Sequence, residues 1–327
     1  MPGFQTYCHP EAKRGILYAC FCHALSRQLI ISRLVCDFVW YSCLKRTSSQ
    51  REISSEGNLP VEKDVPGYCR LGGNHKRKPL QFLRVISSTM NTILAIDTSG
   101  EACSVALYLD GEYLEIHEPA PRRHAEILLP KVEELLSRAE LSLRNLNGLA
   151  FGRGPGSFTG IRIATGVIQG LAFGADLPVI PISSLQALAQ GAWREYKERN
   201  ILTAFDARMG EVYWGVYRLD SDELVVPAME ECVCTPEKVM VPANAPGGWF
   251  GAGVGWAEYG DTLSQAVERQ LDHGETGSGL TGLVGTSLRR YPQARDVATL
   301  AIAAMARGEV VSAENAQPIY LRNRVTR

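Results

Sequence analysis

The residues with the clearest capacity for chemistry lie in FGRGPGSFTGIRIATGVIQGLAFG, positions 151–174. Gly152, Gly154, Gly156 and Gly160 permit a sharp turn and a close backbone approach, and the free amides of a helix starting near Ser157 and Thr159 could face an anion. A nucleotide loop is the first chemistry to weigh. Its spacing is wrong: the third glycine of a dinucleotide fingerprint would fall at Ser157, and no Lys-Ser or Lys-Thr pair completes a phosphate-binding P-loop. The alternative is a structural turn that packs its helix tightly. A second polar group, Asp97, Thr98 and Ser99, ends the run TILAID, and such residues commonly satisfy the amides of their own turn. Asp97 and Asp206 have no nucleophile or metal partner nearby in sequence, so no acid–base pair and no catalytic residue is assigned. His124 is a lone imidazole at the start of a predicted helix, where a capping or surface role is expected.

Cysteine placement excludes other chemistry. Six of the nine cysteines precede Met90, and Cys103, Cys232 and Cys234 are too few and too poorly spaced for a disulfide framework or a tetrahedral zinc site. Cys20-Phe-Cys22-His23 is one residue short of a haem-attachment spacing. This usage agrees with a reducing compartment and predicts a cytoplasmic protein.

The elements that must position these groups follow from periodicity. TILAID, ACSVALYL and EYLEIHE are three strand-like runs, the last two joined through Asp110-Gly111 as a plausible hairpin. Over 123–139, Leu128, Val132, Leu135, Leu136 and Ala139 share one helical face. The strand LNGLAF, the glycine-rich turn with its helix, the strand PVIPI and a helix over 185–196 come next. ILTAFD, GEVYWGVYRL and a stretch near 230–234 are three more strands, with helical and strand pieces continuing to Ala306. The order βββαβα is thus sketched twice, the second time in reduced form.

The helix after the glycine-rich turn is unusual. Between Ile161 and Phe173 its polar side chains are mainly Arg162, Thr165 and Gln169, while Gly166, Gly170 and Gly174 recur every fourth residue. A surface helix would show one apolar stripe and one charged face. This one is expected to be buried on two sides, the second contact being either a helix of the same domain or another subunit, since small residues four apart let helices approach closely.

Composition changes at Met90. Residues 1–89 carry 13 Lys+Arg and 6 Asp+Glu, whereas the remainder carries 21 and 29, a swing from +7 to −8. The leading segment has no clear periodicity, its most apolar run over 29–44 is interrupted by Arg33 and Asp37, and it lacks a secretion-signal pattern. It is expected to be an extension with little stable structure or an over-extended start, leaving an N-terminal lobe over 90–198 and a smaller C-terminal lobe over 199–327. The acidic balance of those lobes argues against broad, independent nucleic-acid binding.

The motifs AIDTS (95–99), ACSVAL (102–107), GRGPGSFTGIR (152–162), DARMGEVYW (206–214) and PIYLRNRV (318–325) together resemble the bacterial TsaB (YeaZ) family over residues 90–327. The resemblance implies an α/β fold of the actin, Hsp70 and sugar-kinase group with duplicated lobes. It implies a role in forming threonylcarbamoyladenosine at position 37 of tRNAs that read codons beginning with adenine. The partners it implies are the TsaD transferase and the TsaE ATPase, with tRNA reached through the complex. No membrane partner is expected, and an apolar helix pair left uncovered would favour self-association to a homodimer when the chain is alone.

The related TsaD family carries a His-x-x-x-His metal pair where this chain has Ser184 and Leu188, so the resemblance implies no metal site here. Asp97, Thr98 and Ser99 occupy the position of a vestigial nucleotide site. The opposing turn, Asp206-Ala-Arg-Met-Gly210, has Arg208 and Met209 where glycines and a hydroxyl would meet phosphates. The expectation is a non-catalytic scaffold without a cofactor of its own, ATP and metal belonging to the partner subunits. Its expected interface is formed by His124, Leu128, Val132, Gly160, Arg162, Gly166, Gln169 and Gly170. The competing readings are an ATP-dependent phosphotransferase of the same superfold and a glycoprotease-like peptidase.

Overall fold

In the computed structural model the described residues are 91–242, 244–271, 282–287 and 291–322. The extension over 1–89 and the last residues of the PIYLRNRV motif lie outside them. The first sheet contains β1 (Thr92–Asp97), β2 (Ala102–Leu109), β3 (Glu112–Pro119), β4 (Gly148–Gly152) and β5 (Val179–Ile182), in the order β3-β2-β1-β4-β5. β1 is antiparallel to β2 and parallel to β4. All six β1 residues are buried, as expected of a central strand covered on both faces, whereas the edge strand β3 alternates in exposure.

The second sheet contains β6 (Asn200–Asp206), β7 (Val212–Leu219), β8 (Val225–Pro227), β10 (Trp249–Ala252) and β11 (Leu283–Ser287), with β9 (Cys232–Cys234) paired to β7. Its order, β11-β10-β6-β7-β8, repeats the first when β6, β7 and β8 stand for β1, β2 and β3. The duplication expected from element order is therefore a duplication of sheet topology. The third strand differs from expectation: β8 at 225–227 holds the place next to β7, and the stretch near 230–234 is the additional β9. β8 is too short for a periodic signal, and α3 (Ser184–Tyr196) anchors it instead. Gln190 Oε1 accepts from the Val225 amide, and Gln186 Nε2 donates to the Val225 carbonyl at 2.9 Å.

Four further helices complete the described fold: α1 (His124–Arg138), α2 (Phe158–Ala175), α4 (Val254–Leu271) and α5 (Ala294–Ala306). Ser157 and Ser183 cap α2 and α3 by accepting from the amides three residues on, and Asp176 and Lys197 end them in the left-handed conformation. α1 and α2 cover the outer face of the first sheet, where Leu128, Val132, Leu135, Ala164 and Ile168 join one core with Leu94, Ile96 and Leu149. The last helix of each half crosses to the other. α3 packs on β6, β7 and β8, while α5 packs on β1, β2, β4 and β5. Their shared core joins Ile93, Ala95 and Ile180 to Ile201, Phe205 and Tyr217, so the two sheets are held by one continuous apolar interior. A separate cluster around Trp214, Trp249 and Trp256 fills the outer side of the second sheet.

Candidate functional site

β1 ends in a closed corner. Asp97 is 1% exposed; its Oδ1 accepts from the Ser99 amide at 2.9 Å and Ser99 Oγ at 2.7 Å, and its Oδ2 accepts from Ser184 Oγ at 3.2 Å. The glycine-rich turn folds down on this group. Thr98 Oγ1 donates to the Gly160 carbonyl, the Ser157 amide donates to the Ser99 carbonyl, and the Gly154 amide donates to Ser184 Oγ. A Cβ at Gly152 would lie 1.8 Å from Asp97 Oδ2, one at Gly156 2.5 Å from the Ser99 carbonyl oxygen, and one at Gly160 1.9 Å from that of Thr98. The close approach these glycines permit is to the chain's own β1 corner.

The opposing turn is closed differently. Asp206 ends β6 as Asp97 ends β1, but Arg208 binds it through both its amide, at 2.8 Å, and its guanidinium, at 2.9 Å. Arg208, Met209 and Gly210 all have positive φ, between 59° and 74°. Arg322 from the C-terminal segment reaches the Arg208 carbonyl and pairs with Glu211. A metal-bound phosphate held between two such turns does not fit this arrangement, because Asp97 is committed to internal donors and Arg208 covers Asp206. Among the described residues, no group of three or more His, Cys, Asp or Glu could hold a metal ion. Ser184 bonds Asp97, and Leu188 is buried against the site of Gly253, so neither position expected above to lack a metal ligand faces an open cavity of acidic or imidazole groups.

Burial raises the Asp97 carboxyl from 3.8 to about 6, against the opposing effect of its bonds from Ser99 and Ser184. The sign follows from linkage. A carboxyl with a raised folded-state pKa disfavours the fold when ionised, so its penalty is absent below about 3.8, grows as pH rises through that interval and is complete above about 6. Acidification from pH 7 to pH 4 is therefore expected to stabilise the wild type relative to Asp97→Asn by about 2–2.5 kcal/mol, most of the ~3 kcal/mol that a shift of this size carries in full. Urea unfolding across that range checks it, and parallel stability curves for the two proteins would show that Asp97 is not the titrating group.

The exposed face of α2 is the other notable surface. Phe158, Arg162, Gly166, Gly170 and Phe173 follow one another at helical spacing and are all exposed, Phe173 at 67%. A Cβ at Gly166 or Gly170 would meet nothing within 4 Å. The Arg162 guanidinium lies 3.6 Å from the Phe158 ring centroid, and its Nε donates to Tyr320 Oη at 2.8 Å. Gln169 Nε2 donates to the Ala316 carbonyl at 2.9 Å, and the Ile319 amide donates to Arg153, so the C-terminal segment straps α2 and the glycine-rich turn.

This placement corrects several expectations. Leu128 and Val132, expected at a partner interface, are 0% and 2% exposed, because their face of α1 packs on the sheet. Gly160 is buried against Thr98. His124 is neither a cap nor a surface residue: it is 7% exposed, its Nε2 lies 3.3 Å from the Ala102 carbonyl, and burial lowers its pKa. Gln169 is turned toward the C-terminal segment, whereas Arg162, Gly166 and Gly170 do lie on the open face. Phe158, Phe173 and Tyr320 belong to the same surface and were missed. The two phenylalanines could have been found from their helical register with the glycines; Tyr320, distant in sequence, could not.

Two repeated sheets of order 3-2-1-4-5, each covered by the other's last helix, define the duplicated α/β fold of the actin, Hsp70 and sugar-kinase class. The family described as TsaD, tRNA N6-adenosine threonylcarbamoyltransferase, matches residues 116–251. The chain is 43% identical over 234 residues to the tRNA threonylcarbamoyladenosine biosynthesis protein TsaB of Escherichia coli K12, an alignment covering 71% of this chain and 95% of that protein. It is also similar to two solved structures from Pseudomonas aeruginosa. One, called YeaZ, is 45% identical with a TM-score of 0.62; the other, described as uncharacterized with similarity to peptidase YeaZ, is 46% identical with a TM-score of 0.63. Each alignment covers 71% of this chain and all of the solved one. The chain belongs to the TsaB (YeaZ) family of Gcp-like proteins.

Proposed function

We propose that this chain serves threonylcarbamoyladenosine formation on tRNA as a non-catalytic subunit, docking the TsaD transferase on the exposed face of α2 and working with the TsaE ATPase. The observation that carries the scaffold reading is the contrast between two surfaces of one turn–helix unit. Its inner side is closed on Asp97 by the chain's own donors, while its outer side offers two glycines with open space above them and aromatic rings at both ends. Close approach of a partner helix over Gly166 and Gly170 gains dispersion contacts along its length without displacing any side chain. The Escherichia coli relative, named as a threonylcarbamoyladenosine biosynthesis protein, supports the pathway. Among the described residues, no helix is long and apolar enough to cross a membrane.

The test is reconstitution with TsaD, TsaE and a threonylcarbamoyl-AMP supply. Gly166→Leu is expected to weaken association with TsaD by about 1–3 kcal/mol through overpacking, with the rate of tRNA modification restored by excess variant. A rate defect that persists when the complex is fully formed would mean that this chain contributes chemistry. Unchanged affinity would move the TsaD surface elsewhere. Tight magnesium–ATP binding by the isolated chain would favour the phosphotransferase reading instead.

A further inference from the structure

Cys232 and Cys234 lie outside everything described so far. They are the first and last residues of β9, which among the described residues pairs with β7 alone, and alternation along a strand points both thiols to one face. Their register partners Trp214 and Val212 face the outer core of the second sheet, so the pair sits at that core's margin, Cys232 exposed and Cys234 half-buried. An exposed sulfur backed by a second, less accessible one is the arrangement needed for attack followed by resolution.

We propose that Cys232 and Cys234 form a reversible thiol–disulfide exchange site for low-molecular-weight disulfides, with Cys232 attacking and Cys234 resolving. In the first step the Cys232 thiolate displaces one thiolate from the small disulfide, and the new S–S bond is a mixed disulfide on Cys232. Cys234 then attacks the Cys232 sulfur, losing its proton to solvent as it does so, forms the intramolecular bond and releases the second small thiolate. The protein loses two electrons and two protons; the small disulfide gains both and leaves as two thiols. The neighbouring Cys234 thiol lowers Cys232 to about 7, against burial and the nearby Glu230, while Cys234 itself is raised and stays protonated, so Cys232 is the sulfur available to attack at neutral pH. Residues two apart on a strand have Cα atoms about 6.6 Å apart, near the upper limit for a disulfide, so the closed ring is strained and readily reduced, as a switchable bond requires.

The site also touches the joint between the halves. Glu231, between Met229-Glu230 and Cys232, receives hydrogen bonds from Ser183 at the start of α3 and from Tyr217 on β7. Puckering β9 to close the ring would pull on this anchor.

The experiment treats the full chain with oxidised glutathione, followed by peptide mapping by mass spectrometry. In the wild type the peptide holding both residues should lose two hydrogens and regain them with dithiothreitol. Cys234→Ser should instead accumulate a stable glutathione adduct on Cys232, and Cys232→Ser should leave Cys234 unmodified. Cys232 should alkylate about fivefold faster at pH 7 than the same residue in the unfolded chain, the gain in thiolate outweighing its lower nucleophilicity. Buried Cys103, whose thiol is pushed up to about 12 by burial, should stay unreactive in the native protein. A persistent adduct in the wild type, modification of Cys234 without Cys232, or alkylation of Cys232 no faster than in the unfolded chain would each overturn the proposal.

Discussion

Gly160→Ala is expected to destabilise the protein by about 3 kcal/mol or more, although alanine is the better helix former. The added methyl group would lie 1.9 Å from the Thr98 carbonyl oxygen, and its neighbour there is backbone, which no rotamer change can clear. Relief requires α2 to lift from β1, breaking the bond from Thr98 Oγ1 to the Gly160 carbonyl and loosening the turn that covers Asp97. Gly170→Ala, one face away on the same helix, is the control. Nothing lies within 4 Å of its added methyl, so it should stabilise by up to about 1 kcal/mol through helix propensity and reduced unfolded-state entropy. Urea midpoints with unchanged slopes would measure both. Equal effects of the two substitutions would show that α2 does not approach β1 as closely as described.

Removing one side of the ion pair between the crossed helices should have a comparable effect. Asp296 on α5 is 0% exposed, and Arg194 on α3 binds both its oxygens, Nε to Oδ1 at 2.8 Å and Nη2 to Oδ2 at 3.1 Å, while also holding Gln293. Arg194→Ala would remove the guanidinium that binds both oxygens of a buried carboxylate, and breaking a buried pair from one side typically costs about 3–5 kcal/mol. Because α3 covers one sheet and α5 the other, the loss should appear as a single cooperative transition at lower urea, not as separate melting of one lobe. Arg194→Lys should recover only part of the stability, since an ammonium cannot reproduce the two-pronged contact. Wild-type stability in Arg194→Ala, or separate transitions, would contradict a core shared by the two halves.

The open face of α2 was only partly legible. Gly166, Gly170 and Arg162 were identified from helical spacing alone, and they do share the open face of α2. Leu128 and Val132 carried the same apolar signal, yet that signal marks a buried face without saying what buries it, and here it is the chain's own sheet. Gly160 belongs to a separate four-residue series, with Gly156 and Ala164, and lies on the opposite side of the helix from Gly166. Small residues mark close approach; which neighbour approaches depends on the helix's rotation about its axis, and that is set by packing.

What the sequence by itself determined was the element order through the first half, the duplicated βββαβα plan and the family. These depend on local periodicity and on motifs contiguous in the chain, such as the all-apolar β1 and the glycine-rich turn. Only the tertiary structure decided that Asp97 is bound by Ser184, 87 residues away, that Tyr320 covers Arg162 across 158 residues, and that α3 and α5 exchange sheets. Such pairings follow from how sheets twist and helices cross, and they leave no periodic trace in either partner. The same reason separates the two strand-ending aspartates: Asp97 and Asp206 look alike in sequence, but one lies under a turn of glycines while the other is held by the arginine two residues beyond it.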